Sequence, residues 1–205
     1  MKSCGHRIVR YADDIVAGFQ YQSDAKRFWK DLQFRFRRFN LALHPEKTRL
    51  IQFGRFAAER RLAKGKGKPK TFDFLGFTHI CAKSSKGKFM LLRLPMRKRV
   101  QAKLKEVKEQ LKIRRYTSIP EMGRWLRSVI QGWYRYYAVP NTSRYLIKFQ
   151  RRIGWLWFRA LKRRSQRTRM NWRRMYKLIN KWLPQPRIMH PYPQARLHVA
   201  RYDPR

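Results

Sequence analysis

The chain has 205 residues, room for one domain or two small ones, and its 43% hydrophobic content is enough for a packed core. Its 52 lysines and arginines against 11 acids give a formal net charge of +41, and self-repulsion on that scale calls for a polyanionic partner. Two cysteines, Cys4 and Cys81, with no CxxC or Cys/His cluster argue against a disulfide scaffold or a structural zinc site; the reducing cytoplasm is the expected location, with no signal-peptide core in residues 1–10 and no apolar run of membrane-spanning length.

The predicted elements begin with two short strands between Arg7 and Phe19, joined at Ala12-Asp13-Asp14, where Asp side chains can bond nearby amides. Ser23 is a candidate N-cap for a helix whose stripe is Ala25, Phe28, Trp29, Leu32, Phe36 and Phe39, with Asn40 as its terminator. Leu41 to Pro45 reads as a short extended piece and Thr48 to Phe53 as a strand. Lys64 to Lys70 is a basic loop, and Phe72 to Ile80 reads as one strand. Ser84 to Gly87 is a turn leading to a partner strand, Phe89 to Leu94.

From Pro95 the pattern turns helical. Val100, Leu104, Val107 and Leu111 form one stripe. Ser118-Ile119-Pro120-Glu121 has the capping-box pattern, followed by Met122, Trp125, Leu126, Val129 and Trp133 on one face. Pro140 to Ser143 breaks that helix and is expected to cap the next, which carries Leu146, Phe149, Ile153 and Leu156. A last helix is predicted over Asn171 to Leu183, ended by Pro184, Pro186, Pro191 and Pro193. The fold class is α+β, with a strand-rich part over 1–94, a basic helical part over 95–183 and a Pro-rich basic tail over 184–205.

Charge and aromatics point to the partner. Between Glu121 and Asp203 no acid interrupts the basic residues, whereas a merely solvated helix face mixes signs. Aromatic residues make up 15% of the chain, many beside arginines, which suits bases that stack on rings better than a membrane surface. The acids of interest are the adjacent Asp13 and Asp14, between the apolar runs Ile8-Val9 and Ile15-Val16-Ala17. Two-metal phosphoryl transfer needs carboxylates that hold Mg²⁺ ions about 3.5–4 Å apart, and Mg²⁺ prefers hard oxygen ligands. A stiff hairpin can present such a pair; taken alone, however, the pair reads better as an ordinary surface turn.

The surrounding residues decide between these. Tyr11-Ala12-Asp13-Asp14 resembles the palm hairpin of reverse transcriptases. Leu43-His44-Pro45-Glu46-Lys47-Thr48 resembles the palm segment that follows it in bacterial group II intron reverse transcriptases, and Phe72-Asp73-Phe74-Leu75-Gly76-Phe77 resembles their next block. Gly132-Trp133-Tyr134-Arg135-Tyr136-Tyr137, then Asn141 to Tyr145, resembles the thumb or maturase-specific domain of the same family, a block that retron-type lineages lack. The resemblance implies a partial polymerase palm followed by a helical thumb/maturase domain.

It further implies that Asp13 and Asp14 bind Mg²⁺, with Mn²⁺ as an alternative, and that Tyr11, Leu75 and Gly76 lie near the primer, the last two in a structural role because a strand glycine lets backbone or ligand approach closely. Lys47 would stand near the departing pyrophosphate or be a lysine in a basic loop; Asp73 is expected to pair with a neighbouring Arg or Lys rather than to join the metal site. Intron RNA, and a DNA primer or target, would meet Arg124, Arg127, Tyr134, Arg135, Tyr137, Arg144, Arg151, Arg152, Lys162, Arg163, Arg164, Arg167, Arg169, Arg173 and Arg174. Trp125 and Trp133 are expected in the core, and Tyr134 and Tyr137 on an exposed face.

The family carries a further metal-binding Asp on an earlier palm strand, plus a fingers region, and no acid precedes Asp13 here. The expectation is a weakly held metal and a chain inactive alone as an RNA-directed DNA polymerase: a truncated copy, a partial reading frame, or one half that works with a separate fingers/palm half. The alternatives are a free-standing splicing-assistance module in which the Asp pair is a relic, and a small basic RNA-binding protein of ribosomal type. His190 and His198 lack the neighbours of a His/Cys nuclease, so no endonuclease activity is expected.

Overall fold

The computed structural model of the protein describes residues 7–165 and 169–192. These contain five strands in two antiparallel sheets and six α-helices, the α+β class expected.

Strands β1 (Arg7–Tyr11) and β2 (Asp14–Gly18) form a two-stranded hairpin closed by the pair Tyr11↔Asp14. Only Ala12 and Asp13 connect them, and Ala12 takes the left-handed conformation, φ 51°. Helix α1 (Gln22–Arg38) starts earlier than predicted. Tyr21 is its N-cap, without a side-chain hydrogen bond, and Ser23 lies inside the first turn with its hydroxyl on Asp24. Phe19 packs on Phe28 at 5.1 Å, and this contact sets the start in preference to a cap worth about 1 kcal/mol. The other end is as predicted. Asn40 has φ 53°, and the amides of Asn40 and Leu41 bond the carbonyls of Arg37 and Phe36, a Schellman closure.

The strand predicted over Thr48 to Phe53 does not form. No neighbouring strand offers it a ladder among the described residues, and a strand's amides need one. Phe53 instead packs edge-on to Phe72 at 5.0 Å, and a short helix α2 (Ala57–Leu62) follows. The strand predicted over Phe72 to Ile80 is two strands. β3 (Phe72–Phe74) turns back at Leu75-Gly76 into β4 (Phe77–Lys83), which pairs with β5 (Phe89–Pro95). Leu75 and Gly76 have φ 48° and 73°, the two positive angles that a primed two-residue hairpin turn requires.

Helices α3 (Arg97–Ile113), α4 (Ile119–Tyr137), α5 (Ser143–Lys162) and α6 (Trp172–Trp182) follow, with a 3-10 turn at Arg114–Tyr116. The predicted capping box is present: Ser118 Oγ accepts from the Glu121 amide, and Glu121 Oε2 accepts from the Ser118 amide. Asn171 caps α6 through the Arg174 amide. Thr142 does not cap α5. Its buried hydroxyl donates toward the carbonyls of Tyr137 and Val139, because the tight α4–α5 link brings those acceptors to it, each with a lone pair left beyond its backbone hydrogen bond.

The main core lies among α3–α6. Val107, Leu126, Ile130, Leu146, Ile153, Trp157 and Met175 have no exposed surface, and Trp125 and Trp133 pack against them half-buried. Each such aliphatic side chain contributes about 1.5–3 kcal/mol. The stretch 7–62 is different: Ala25 and Ala57 are its buried residues.

Candidate functional site

The β1–β2 hairpin brings Tyr11, Asp13 and Asp14 together at one tip. Tyr11 and Asp14 are cross-strand partners, so their side chains rise from the same face. Both aspartates are exposed, and neither has a hydrogen-bond or ion-pair partner among the described residues. The ion pairs among those residues, Lys103–Glu106 and Lys112–Glu109, both lie on α3. Arg10 is close enough to pair with the tip, yet its Nε donates to the Ala12 carbonyl at 2.9 Å. Two adjacent, unpaired carboxylates on a short turn are the donor type that Mg²⁺ takes. Among the described residues no third acid, histidine or cysteine joins them in a metal-sized group. The pair fits the ion in kind and would supply part of its shell.

Lys47 sits exposed on the turn closed by the Thr48 amide and the His44 carbonyl, and makes no hydrogen bond or ion pair with Asp13 or Asp14. A groove of ≈ 200 Å³ beyond β2 is lined by residues such as Gln20, Phe53 and Arg60, and neither aspartate lines it. Asp73 does not form the predicted ion pair: Oδ1 accepts from its cross-strand partner Thr78 at 2.6 Å, because register sets that hydroxyl opposite it. Next along β4, His79 stacks flat on Phe72, and burial lowers its pKa.

Leu75 and Gly76 form the tip of the second hairpin, which rests on the end of α4. The Tyr136 hydroxyl donates to the Leu75 carbonyl at 2.7 Å, and its ring stacks near Phe77. A Cβ on Gly76 would lie 2.9 Å from the Tyr137 hydroxyl, so glycine serves both the positive φ and the close approach. Phe77, Tyr137 and Val139 form a small buried cluster here.

This overturns the expected exposed face. Tyr134 and Tyr137 are buried, 2% and 7% exposed, and Tyr136 between them is 50% exposed. Tyr134 points into the helical core, where its hydroxyl finds no partner among the described residues, and burial drives its pKa far above the usual phenol range. Burial also raises Tyr137, with a smaller contribution from Tyr136. Tyr136, the residue of this trio at the surface, carries no role in the sequence reading; four-residue spacing from Gly132 was its only local signal.

The cationic residues divide into two groups. Arg164 is half-buried: it donates to the Thr117 carbonyl at 2.6 Å and lies against the Met122 sulfur, its Nε is unpartnered, and burial lowers its pKa. It bolts the end of α5 to the start of α4, and so is not the free phosphate contact predicted. Arg127 caps α6, its Nε and Nη2 donating to the carbonyls of Trp182 and Lys181. Arg174 donates to the Arg169 carbonyl at 3.1 Å while remaining exposed. Arg124, Arg135, Arg144, Arg151, Arg152, Lys162, Arg163, Arg169 and Arg173 are exposed. Arg152 and Arg159 both lie over the Trp155 ring, at 4.8 and 4.6 Å. Arg167 lies outside the described residues, as do His198 and the tail from Pro193. His190 Nε2 is 2.6 Å from the Arg135 carbonyl, and the amides of Met189 and His190 meet the Ala138 carbonyl, so this part of the tail straps back onto α4.

Residues 1–79 match the family model for reverse transcriptase (RNA-dependent DNA polymerase). The matched stretch holds Tyr11, Asp13, Asp14, Lys47, Leu75 and Gly76, and is similar to reverse transcriptases; a nucleic acid is the class of partner this points to. No curated protein matches the chain. No helix among the described residues is long and apolar enough to cross a membrane.

Proposed function

We propose that the chain supplies the metal-binding hairpin and the RNA-binding helical part of a group II intron reverse transcriptase/maturase. One observation carries this reading. In a chain of net charge +41, Asp13 and Asp14 stand adjacent, exposed and without an ion pair among the described residues, at a hairpin tip inside the reverse-transcriptase-like stretch. Asp13 is the more direct ligand and Asp14 its companion. Mg²⁺ or Mn²⁺, when held there, supplies Lewis acidity for phosphoryl transfer. Tyr11 shares the face of Asp14, is 65% exposed, and offers its ring to the primer end. On this reading Lys47 would stand near the departing pyrophosphate. The exposed arginines of α4–α6 hold intron RNA by its phosphates, and RNA shape rather than base edges sets their choice.

The polymerase site needs a third carboxylate from another polypeptide segment. The hairpin needs cover as well. Val9 on one face is 53% exposed, and Ile8 and Ile15 on the other are 48% and 43% exposed. A two-stranded hairpin open on both faces is marginal in water. A separate fingers/palm half would meet both needs, and the chain alone is inactive as a polymerase. Primer extension tests this with the chain alone, with an added fingers/palm half, and with the Asp13→Asn/Asp14→Asn variant of that mixture. The expected results are no cDNA, cDNA, and no cDNA. Robust synthesis by the chain alone refutes the split site, and synthesis that survives the double substitution refutes the metal role.

A second reading, a free-standing splicing-assistance module, is favoured by the position of the core: the helical part holds nearly all the buried side chains. Under that reading intron splicing survives the double substitution and no added half produces cDNA.

A further inference from the structure

Two rings at the start of α6 keep more surface in water than their packing accounts for. Trp172 stacks on Phe158 of α5, ring centroids 4.3 Å apart and planes 18° apart. Tyr176, one turn further on, leans against Trp172 at 5.8 Å. Yet Trp172 is 41% exposed and Tyr176 59%. The Tyr176 hydroxyl has no hydrogen-bond partner among the described residues. Other positions seat the helix: Met175 is fully buried, and Leu178, Ile179 and Trp182 pack on the core. Cations stand around them, with Arg173, Arg174 and Lys177 on α6 and Arg169 just before it all exposed, and no acid stands anywhere between Glu121 and Asp203.

We infer that Phe158, Trp172 and Tyr176 form a stacking platform for unpaired bases of single-stranded nucleic acid, with Arg169, Arg173, Arg174 and Lys177 taking the adjoining phosphates. This rests on the nucleic-acid reading above and makes it specific. Ring stacking is tolerant of sequence but demands a free base face, and a duplex has none to give along its length. An anionic membrane would also attract Trp, Tyr and cations, but membrane binding needs the helix's apolar face, which α6 has already buried in the bundle. An acidic protein surface would satisfy the cations and leave the two rings without a matching partner.

Binding of the full chain is measured at one salt concentration to a short oligouridylate, to an oligodeoxythymidylate and to a blunt RNA duplex of equal charge. Tyr176→Ala should weaken single-strand binding on the order of 5- to 100-fold, with duplex binding unchanged. Tyr176→Phe should bind like the parent, since the ring is kept. Lys177→Gln should weaken all three ligands alike. The two single strands separate an RNA-selective platform from a general one. The melting midpoint of Tyr176→Ala, at so exposed a site, should match the parent and certify the fold. Equal losses on single strand and duplex, or no loss on either, overturn the platform. A parent that binds none of the three overturns the nucleic-acid reading as well.

Discussion

Two glycines on one helix should respond to the same substitution with opposite signs. Gly123 and Gly132 both lie within α4, and alanine is favoured over glycine in a helix interior by about 1 kcal/mol. At Gly132 an added Cβ meets nothing within 4 Å, so Gly132→Ala should stabilise by about that amount. At Gly123 the same Cβ would lie 2.4, 2.5 and 2.9 Å from ring atoms of Trp182 on α6. The indole must withdraw by about 1 Å to restore ordinary contact, and overpacking of this kind typically costs about 1–3 kcal/mol. The backbone at Trp182 is also anchored to α4, because Arg127 bonds its carbonyl and that of Lys181. Retreat therefore strains the α6 cap too. With the helix gain of about 1 kcal/mol set against this cost, the net expectation for Gly123→Ala is a loss of up to about 2 kcal/mol, or up to roughly 8 °C in melting midpoint for a chain of this size. Thermal unfolding followed by far-ultraviolet circular dichroism reads the helical part directly. If Gly123→Ala raises the midpoint as Gly132→Ala does, α4 and α6 do not meet as described.

Tyr134→Phe removes a buried hydroxyl that has no partner among the described residues and should stabilise the fold by about 1 kcal/mol in denaturant titration, while leaving RNA affinity unchanged. Loss of affinity in that variant would restore the exposed face that the sequence suggested. The same hydroxyl carries a pH signature. Its folded pKa is raised, so its contribution is intact below the ordinary phenol pKa and is lost as pH rises above it, where the unfolded chain releases the proton first. The gap between Tyr134→Phe and the parent should therefore widen in alkaline solution, and a constant gap would contradict the burial. For RNA binding, neutralisation of about six phosphates predicts a slope of log K against log salt near about −4, and a flat response would exclude phosphate contacts as the main attraction.

The sequence by itself settled what depends on neighbours along the chain. The spans of α3–α6 followed from apolar period, the Ser118–Glu121 box from its spacing, the α1 stop from Asn40, and the β4–β5 turn from Ser84 to Gly87. The Asp13-Asp14 tip was equally legible, because a two-residue turn between apolar strands is a local fact. Tertiary structure decided the rest. Thr48 to Phe53 had strand chemistry but no strand beside it, and Phe72 to Ile80 folded back at Leu75-Gly76 because Tyr136 and Tyr137 support that tip from 61 residues away in the chain. The sequence pointed to Tyr134 and Tyr137 as the exposed rings; helix phase against α5 and the β3–β4 hairpin buries both and leaves Tyr136 exposed instead. Arg164 and Arg173 look the same in a basic run, yet one ends beside an unpaired carbonyl across the bundle and the other faces water. A cation or a ring takes its role from what lies across from it, and a periodic pattern along one chain does not encode that distance.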